Sequence, residues 1–330
     1  MFAGIPVFTE MSKWKAGEGK PSPASPPEVT APPPQKATVS ASSSLVTLGA
    51  RGNISGVKKR VAPRVTAATT RRLSRKISSR SAIIIDAATG KTLYSRNPDN
   101  PRQPASTIKV ITGMIAIKSL NNTERVPVSQ KAARQPRSKV YLDQKKKYKA
   151  DDLINAVLLA SANDASVAIA EKIAGSERAF AKMMTLRAQL WGAKHTVCKT
   201  ASGLTAKGQK STARDLATIF RYAMKDREFS SRMKKVKVRT TEGKLLRNHN
   251  KALWQVDGTL GGKTGFTNAA RQTYVGKFRR GQDEIIVAIM GSETMWSDIK
   301  YLVNYGFQKK MAMGSEGIDP DAEIELLAEL

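Results

Sequence analysis

The feature that most constrains the fold of this chain is the stretch Thr107–Ile117, which has apolar side chains on every face of a helix. A helix that is apolar all round must be covered by other elements, so we expect it inside the folded domain. Pro104 lies where this helix begins, because a proline loses no hydrogen bond in the first helical turn. Ser106 and Lys109 are three residues apart near this start and therefore share one face.

A hydroxyl and an amine on one buried face indicate a pair of catalytic groups. Burial disfavours the charged form of a lysine, so a buried lysine tends to lose its proton. A neutral lysine can then take the proton of a serine and make that serine a nucleophile. We predict that Ser106 attacks a substrate and that Lys109 activates it.

The Ser-x-x-Lys spacing alone is not specific, because this chain contains it five times. The other copies begin at Ser12, Ser55, Ser231 and Ser297. The first two lie in a leader of low complexity, and the last two lie in polar stretches that we expect to be exposed. Only Ser106 stands at the head of an apolar helix, so we interpret this copy as the functional one.

The composition limits the partners and the kinds of site. With 56 basic and 27 acidic residues, the chain has a formal net charge of +29, which favours anionic surroundings such as nucleic acid, anionic lipid or an acidic polymer. One cysteine, Cys198, excludes an intramolecular disulfide, and two histidines, His195 and His249, offer little for a zinc site or a Ser–His–Asp triad. We therefore expect no metal and no cofactor. No apolar run reaches the roughly 18 residues of a membrane helix, and we see no clear secretory signal or membrane anchor.

Composition also divides the chain into three segments. Residues 1–80 are rich in Pro, Ser, Ala and basic residues, which we interpret as a disordered leader or tether. Nine basic and no acidic residues lie between Lys58 and Arg80, so this part either contacts anionic membrane or wall polymer or is a solvated linker. We expect residues 81–310 to form the folded domain and residues 311–330 to form an acidic flexible tail.

The pattern of the folded domain predicts an α+β architecture. Ala82–Asp86 and Thr92–Tyr94 flank a Gly-containing turn, which indicates a β-hairpin. Helices dominate residues 121–235, and strands then precede a final helix at Ser297–Phe307. These later strands are expected at Val236–Arg239, Lys244–Arg247, Thr273–Phe278 and Glu284–Met290. The order favours an antiparallel sheet made from both ends of the domain and flanked by helices, with an inserted all-helical subdomain.

A second polar motif, Ser161-Ala162-Asn163, interrupts the apolar spacing of the helical region. We expect such a break to present side chains from a helix end or a loop. Ser161 is a candidate for passing protons towards a leaving group, and Asn163 for holding a substrate amide.

A third motif, Lys263-Thr264-Gly265, is expected at a strand edge. There Lys263 and Thr264 can hold a substrate carboxylate, and the glycine lets a ligand backbone approach closely. Lys263 would also place a second cation near Lys109 and lower the pKa of Lys109 further.

The alternative interpretation of the third motif is a phosphate-binding loop, because Gly-Lys-Thr is the end of that motif. The phosphate motif needs four residues between its glycines, whereas Gly258 and Gly262 have three between them. A helix should also follow, yet Asn268–Phe278 has the pattern of a loop and a strand.

Taken together, the three motifs resemble the three signatures of penicillin-binding proteins and serine β-lactamases. The sequence around them is most similar to the low-molecular-mass D-alanyl-D-alanine carboxypeptidases, over roughly residues 81–308. The blocks that carry this likeness are Pro104–Lys109, Ser202–Leu204, Ser211–Leu216, Val256–Gly258, Lys263–Ala270 and Asp298–Phe307.

The resemblance implies a fold of the β-lactamase/transpeptidase type and a reaction on a peptidoglycan stem peptide that ends in D-Ala-D-Ala. The penultimate D-alanine acylates Ser106, the terminal D-alanine leaves, and water hydrolyses the ester. Backbone N–H groups of Ser106 and Phe266 would hold the oxyanion, and losing one such donor typically costs about 3 kcal/mol of barrier. The catalytic residues implied by position are Ser106, Lys109 and Ser161. The substrate-binding residues implied in the same way are Asn163, Lys263, Thr264, Gly265 and Phe266.

The resemblance further implies β-lactams as covalent inhibitors, a role in cell-wall synthesis and remodelling, and an extracytoplasmic, periplasmic location. Two positions depart from the family pattern. Arg271 stands where the family usually has glycine after Asn-Ala-Ala, and His249 falls near an arginine that some members have. The C-terminal β domain and amphipathic anchor of the family have no counterpart beyond Gly314.

Four alternative functions remain open from the sequence. A serine β-lactamase or a DD-endopeptidase would use the same fold. The β-lactamase is disfavoured because we find no Glu-x-x-x-Asn block between Asn163 and Lys263 to activate a deacylating water. A nucleic-acid-binding protein is disfavoured because aromatic residues are only 6% and are not interleaved with the basic runs, so we expect no specific nucleic acid partner. A wall-binding module without catalysis is disfavoured by the intact Ser106, Lys109 and Lys263.

Overall fold

The computed structural model describes residues 65–315 of the chain. The helices are α1 (Ala67–Lys76), α2 (Lys109–Ser119), α3 (Gln130–Ala133), α4 (Ala150–Leu158), α5 (Asn163–Ala174), α6 (Glu177–Leu190), α7 (Ala213–Ala223), α8 (Arg227–Lys234), α9 (Ala252–Gln255) and α10 (Met295–Ser315). The strands are β1 (Ser81–Asp86), β2 (Thr92–Arg96), β3 (Arg125–Pro127), β4 (Lys147–Lys149), β5 (Lys237–Arg239), β6 (Leu245–Arg247), β7 (Thr259–Thr267), β8 (Arg271–Arg280) and β9 (Asp283–Ser292).

Five antiparallel strands form the main sheet, in the order β2–β1–β9–β8–β7. Two of these strands precede the helical region and three follow it. The predicted α+β class, with a sheet made from both ends of the domain, is therefore confirmed. β7 lies at one edge of the sheet, so one side of this strand is not covered by a neighbouring strand.

The inner strand β1, which lies between β2 and β9, is buried along its whole length, because helices cover both faces of the sheet. Its side chains alternate between two hydrophobic cores. Ile83 and Ile85 pack with the helical region, whereas Ile84 packs with α10. This arrangement explains why β1 has consecutive isoleucines rather than an apolar–polar alternation.

The apolar stretch of the sequence is helix α2, which packs against α4, α5, α6 and α7. Every residue from Lys109 to Ile117 is buried. The helix is preceded by a 3₁₀ turn at Ala105–Ile108 rather than by an α-helical first turn, and Pro104 lies before that turn. The structure thus differs from the predicted start of the helix while confirming its burial.

The structure corrects the predicted boundary of the leader. Within the segment assigned to a tether, α1 begins after Thr66, whose side chain accepts a hydrogen bond from the backbone of Thr69. Leu73 and Ile77 are buried in the core beside α10. Two apolar side chains among many arginines are enough to anchor this helix, but they are too few for a compositional signal. Residues 1–64 lie outside the described part of the chain.

Other segments differ from the predictions in detail. α7 begins after Thr212, whose side chain accepts a hydrogen bond from the backbone N–H of Asp215. The inserted region, predicted to be all-helical, also contains the short strand pair β3–β4, and the predicted strands β5 and β6 form a pair apart from the main sheet. α10 continues to Ser315, so the acidic tail begins in a helix, and its later residues lie outside the described range.

Candidate active site

The nucleophile candidate lies in a turn that the backbone forces into an unusual shape. Ala105 has a φ of 49°, a left-handed conformation that costs an L-residue roughly 1 kcal/mol or more. A Cβ atom at Gly203 would lie 2.0 Å from the carbonyl oxygen of Ala105, so only glycine fits there. The strained turn and the glycine beside it fix the position of Ser106, which is half-buried.

Lys109 is fully buried one turn further on, and three oxygen atoms surround its amine. Nζ lies 2.9 Å from Oγ of Ser106, 2.7 Å from Oδ1 of Asn163 and 2.7 Å from the backbone oxygen of Ser202. The two carbonyl oxygens can only accept hydrogen bonds, so they take two N–H groups of the amine. In the neutral amine the remaining position is a lone pair, and it faces the hydroxyl of Ser106.

Burial lowers the pKa of Lys109 well below its ordinary value, and the charge of Lys263 lowers it further. The carboxylate of Asp164 acts in the opposite direction. Asp164 is fully buried and accepts hydrogen bonds from the backbone N–H groups of Val140 and Leu142. Burial and the neighbouring cation thus act together to favour the neutral amine of Lys109.

Ser161 and Lys263 form a second pair at the same site. Ser161 lies between α4 and α5 with a φ of 57°, so the break in the helical pattern is a strained backbone position. Lys263 on β7 is 1% exposed, and its Nζ lies 2.9 Å from Oγ of Ser161 and 3.0 Å from the backbone oxygen of Thr264. Burial lowers the pKa of Lys263 to about 7.

Asn163 links this site to a neighbouring loop. Its Oδ1 accepts from Lys109, while its Nδ2 donates to the backbone oxygens of Pro136 and Arg137 at 3.0 and 3.1 Å. The backbone N–H of Asn163 also donates to the oxygen of Ser138 at 2.7 Å. The side chain that was expected to hold a substrate amide thus also orients Lys109 and fixes this loop.

A cavity of about 400 Å³ opens above Ser106, between the loop at Arg137 and strand β7. A Cβ atom at Gly265 would lie 2.7 Å from the backbone nitrogen of Ser106, so the glycine allows β7 to approach the nucleophile. The other residues that line the cavity are Ser138, Ser161, Asn163, Gly203, Leu204, His249, Thr264, Phe266, Thr267, Gln272, Met295 and Trp296. Lys109 and Lys263 are buried behind its wall.

The two positions that depart from the family pattern have different surroundings. Arg271 is ion-paired with Glu293, with 2.5 Å between Nη2 and Oε2, and it does not line the cavity. His249 lines the cavity and is exposed at its rim. Partial desolvation, then the charges of Lys263 and Lys109, lower the pKa of His249 to about 4. Its imidazole is therefore neutral near neutral pH.

Sequence reasoning missed several groups of the site. The backbone oxygen of Ser202, the carboxylate of Asp164 and the side chain of Arg137 were not among the candidates. The block Ser202–Leu204 gave a signal only as part of a family likeness, because a backbone acceptor has no side-chain signature. Among residues 65–315, no group of three or more His, Cys, Asp or Glu side chains could hold a metal ion. Within the same range, no helix is long and apolar enough to cross a membrane.

Comparisons with known proteins show the family of this chain. A family model described as D-alanyl-D-alanine carboxypeptidase matches residues 65–294, and the chain belongs to this family of peptidases. The carboxypeptidase DacB2 of Mycobacterium tuberculosis is 33% identical over 68% of this chain and 81% of its own length. DacF of Bacillus subtilis is 30% identical over 66% of this chain, but the matched part is only 58% of its own length.

Solved structures show the same fold. A D-alanyl-D-alanine carboxypeptidase from Mycobacterium tuberculosis has a TM-score of 0.67 at 30% identity, covering 74% of this chain and 92% of that structure. An ampicillin-bound penicillin-binding protein of Listeria monocytogenes has a TM-score of 0.64 at 27% identity, covering 70% of this chain and 98% of that structure. The predictions of the family and of the penicillin-binding fold are confirmed.

Proposed function

We propose that this protein is a serine-type D-Ala-D-Ala carboxypeptidase that removes the terminal D-alanine from peptidoglycan stem peptides. The observation that carries the proposal is the contact of the Ser106 hydroxyl with the buried amine of Lys109, at 2.9 Å. Two carbonyl acceptors hold that amine so that its third position faces the hydroxyl. This is the geometry of a general base and its nucleophile.

In the acylation step, Lys109 takes the proton of Ser106, and Oγ attacks the carbonyl carbon of the penultimate D-alanine. The carbonyl oxygen becomes an oxyanion, which the backbone N–H groups of Ser106 and Phe266 stabilise. The close approach of β7 to the nitrogen of Ser106 at Gly265 supports this assignment. Such donors act best when they are fixed before the reaction, because no reorganisation is then needed.

The tetrahedral intermediate breaks when the C–N bond to the terminal D-alanine is cleaved. The leaving amine needs a proton, and we assign its delivery to Ser161. The contact of Ser161 with Lys263 supports this role, since a lysine with a pKa of about 7 can restore the proton of the hydroxyl. Water then attacks the acyl ester, and Oγ of Ser106 leaves with a proton.

The terminal carboxylate of the substrate needs a positive region. Lys263 supplies charge behind the wall, and Thr264 lines the cavity beside it. Within the described part of the chain, no Asp or Glu side chain lines this cavity. The absence of a lining carboxylate also favours a long-lived penicilloyl-enzyme over rapid β-lactam hydrolysis, because no lining acid is placed to activate water.

We also propose that the protein works in the cell envelope, in the periplasmic space where this substrate is found. The formal charge of +29 suits an anionic wall polymer. Four basic and no acidic residues between Lys58 and Arg64 support electrostatic contact of the basic leader, residues 1–64, with anionic membrane or wall polymer. A chain without residues 1–64 should be retained less well on anionic vesicles at low salt; equal retention would contradict this contact.

The proposed activity is tested by release of D-alanine from an acylated tripeptide that ends in D-Ala-D-Ala. We expect turnover by the wild type and a loss of roughly 10³-fold or more for Ser106→Ala, because the nucleophile is removed. Ser297→Ala is the matched control, since Ser297 belongs to an exposed copy of the same spacing. Equal turnover by Ser106→Ala would contradict the assignment.

A further inference from the structure

One cation of the cavity has no role in the mechanism above. Arg137 lines the cavity and is exposed, and it belongs to the loop between α3 and β4. Its backbone oxygen accepts a hydrogen bond from Asn163 at 3.1 Å, and the next residue, Ser138, accepts from the backbone of Asn163. Asn163 in turn holds Lys109. The loop that carries Arg137 is thus fixed to the reacting groups.

The guanidinium of Arg137 is not neutralised by a neighbour. Within residues 65–315, no carboxylate forms an ion pair with it, whereas Arg271 is paired with Glu293 and Arg214 with Asp99. No acidic side chain of the described residues lines the cavity. An exposed arginine in the wall of a cavity that no acidic side chain lines is available to bind an anionic group of a ligand.

The position of Arg137 in the cavity determines which anionic group of the substrate it can bind. Lys263 and Thr264 belong to β7, and the proposed function assigns the terminal carboxylate of the substrate to them. Arg137 lies on a different wall, on the loop held by Asn163. A cavity of about 400 Å³ admits only a few residues of a peptide. With the terminal carboxylate assigned to β7, the anion available to Arg137 comes from the acyl part of the substrate.

We infer that Arg137 recognises a carboxylate on the side chain of the residue directly before D-Ala-D-Ala. The inference rests on the proposed function and narrows its substrate class to stem peptides with an acidic side chain at that residue. The planar guanidinium forms two parallel hydrogen bonds to a carboxylate and only weaker contacts to a neutral amide. Because the arginine is exposed, the preference should weaken as the salt concentration rises.

The test compares two acetylated tripeptides in which 2-aminopimelate, or its side-chain amide, precedes D-Ala-D-Ala. We expect the wild type to release D-alanine from the acid with a kcat/KM roughly 10-fold higher than from the amide, mainly through KM. Arg137→Gln should lose this preference, and Arg137→Lys should restore part of it. Arg134→Gln is the matched control, because Arg134 is exposed on the same segment but does not line the cavity.

Each outcome decides the inference. Equal kcat/KM values of the wild type for the two peptides would overturn it while leaving the carboxypeptidase activity in place. A preference for the acid that persists in Arg137→Gln, or that is lost in Arg134→Gln as well, would also overturn it. If neither peptide releases D-alanine, the proposed function fails, and the inference fails with it.

Discussion

Two regions of this molecule contain the same Ser-x-x-Lys spacing near the start of a helix, and they differ in burial. At α2, Lys109 is fully buried, and its amine contacts Ser106 and two carbonyl oxygens. At α10, Ser297 and Lys300 are both exposed. Water solvates the amine of Lys300, whereas desolvation favours the neutral form of Lys109. The comparison teaches that the environment, and not the spacing, makes a serine–lysine pair reactive.

The largest expected effect comes from removing the amine at each of the two sites. Lys109→Met should slow acylation by a penicillin by roughly 10³-fold or more, because no group remains to take the proton of Ser106. Lys300→Met should leave the rate unchanged. Stopped-flow or gel measurement of the acylation rate checks this, with a thermal melt to show that both variants are folded. Similar rates for the two variants would remove the distinction between the two regions.

The next largest effect on the acylation rate is expected when a side chain is added to a glycine of positive φ at the site, in comparison with one outside the site. Gly203→Ala should slow acylation roughly 100-fold, because the new Cβ would displace the carbonyl of Ala105 and shift Ser106. Gly175→Ala is the matched control, since Gly175 also has a positive φ but no atom lies within 4 Å of a Cβ built there. Both substitutions should lower the free energy of unfolding, by roughly 1 kcal/mol for Gly175→Ala. An acylation rate equally reduced in both variants would contradict the placement of Ser106 by this contact.

A smaller effect concerns stability and pH. The pKa of Lys263 is about 7 in the folded protein and near 10.5 in an unfolded chain, so the unfolded state binds more protons between these values. The free energy of unfolding should therefore rise with pH in this window, by up to about 1.4 kcal/mol per pH unit from this group. Denaturant unfolding at several pH values should show a smaller slope for Lys263→Met than for Lys300→Met. Identical slopes would show that Lys263 keeps an ordinary pKa.

The smallest effect is expected at Arg271, which takes a φ of 56° at a position where the family usually has glycine. Arg271→Gly relieves a strain of roughly 1 kcal/mol but removes an exposed ion pair with Glu293 that is worth at most about 1 kcal/mol. We expect the free energy of unfolding to change by less than about 1 kcal/mol and the turnover to stay at the wild-type level. A large loss of turnover would mean that Arg271 acts on the substrate.

The sequence predicted the parts of the fold that depend on periodicity. The isoleucines of β1, the all-round apolar face of α2 and the apolar runs in β8 and β9 each predict burial, and the structure buries these runs. Helix α1 escaped prediction because its apolar anchors are two residues, Leu73 and Ile77. Side-chain spacing contains little information about a helix held mainly by its neighbours.

The sequence likewise predicted the side chains of the site but not the backbone that positions them. The three motifs named the side chains, and the structure brings them around one cavity. The left-handed backbone at Ala105 and Ser161 has no residue signature, because neither alanine nor serine favours it. The acceptor at the backbone of Ser202 and the guanidinium of Arg137 arrive from loops whose paths depend on tertiary packing.

The measurement that tests the central claim most directly is the pH dependence of covalent labelling by a penicillin, read by intact mass. The account predicts a single adduct, absent in Ser106→Ala, whose second-order rate rises with pH at a midpoint well below 10.5, because Lys109 is neutral there. A midpoint at the ordinary pKa of a lysine, or an adduct that persists in Ser106→Ala, would contradict it.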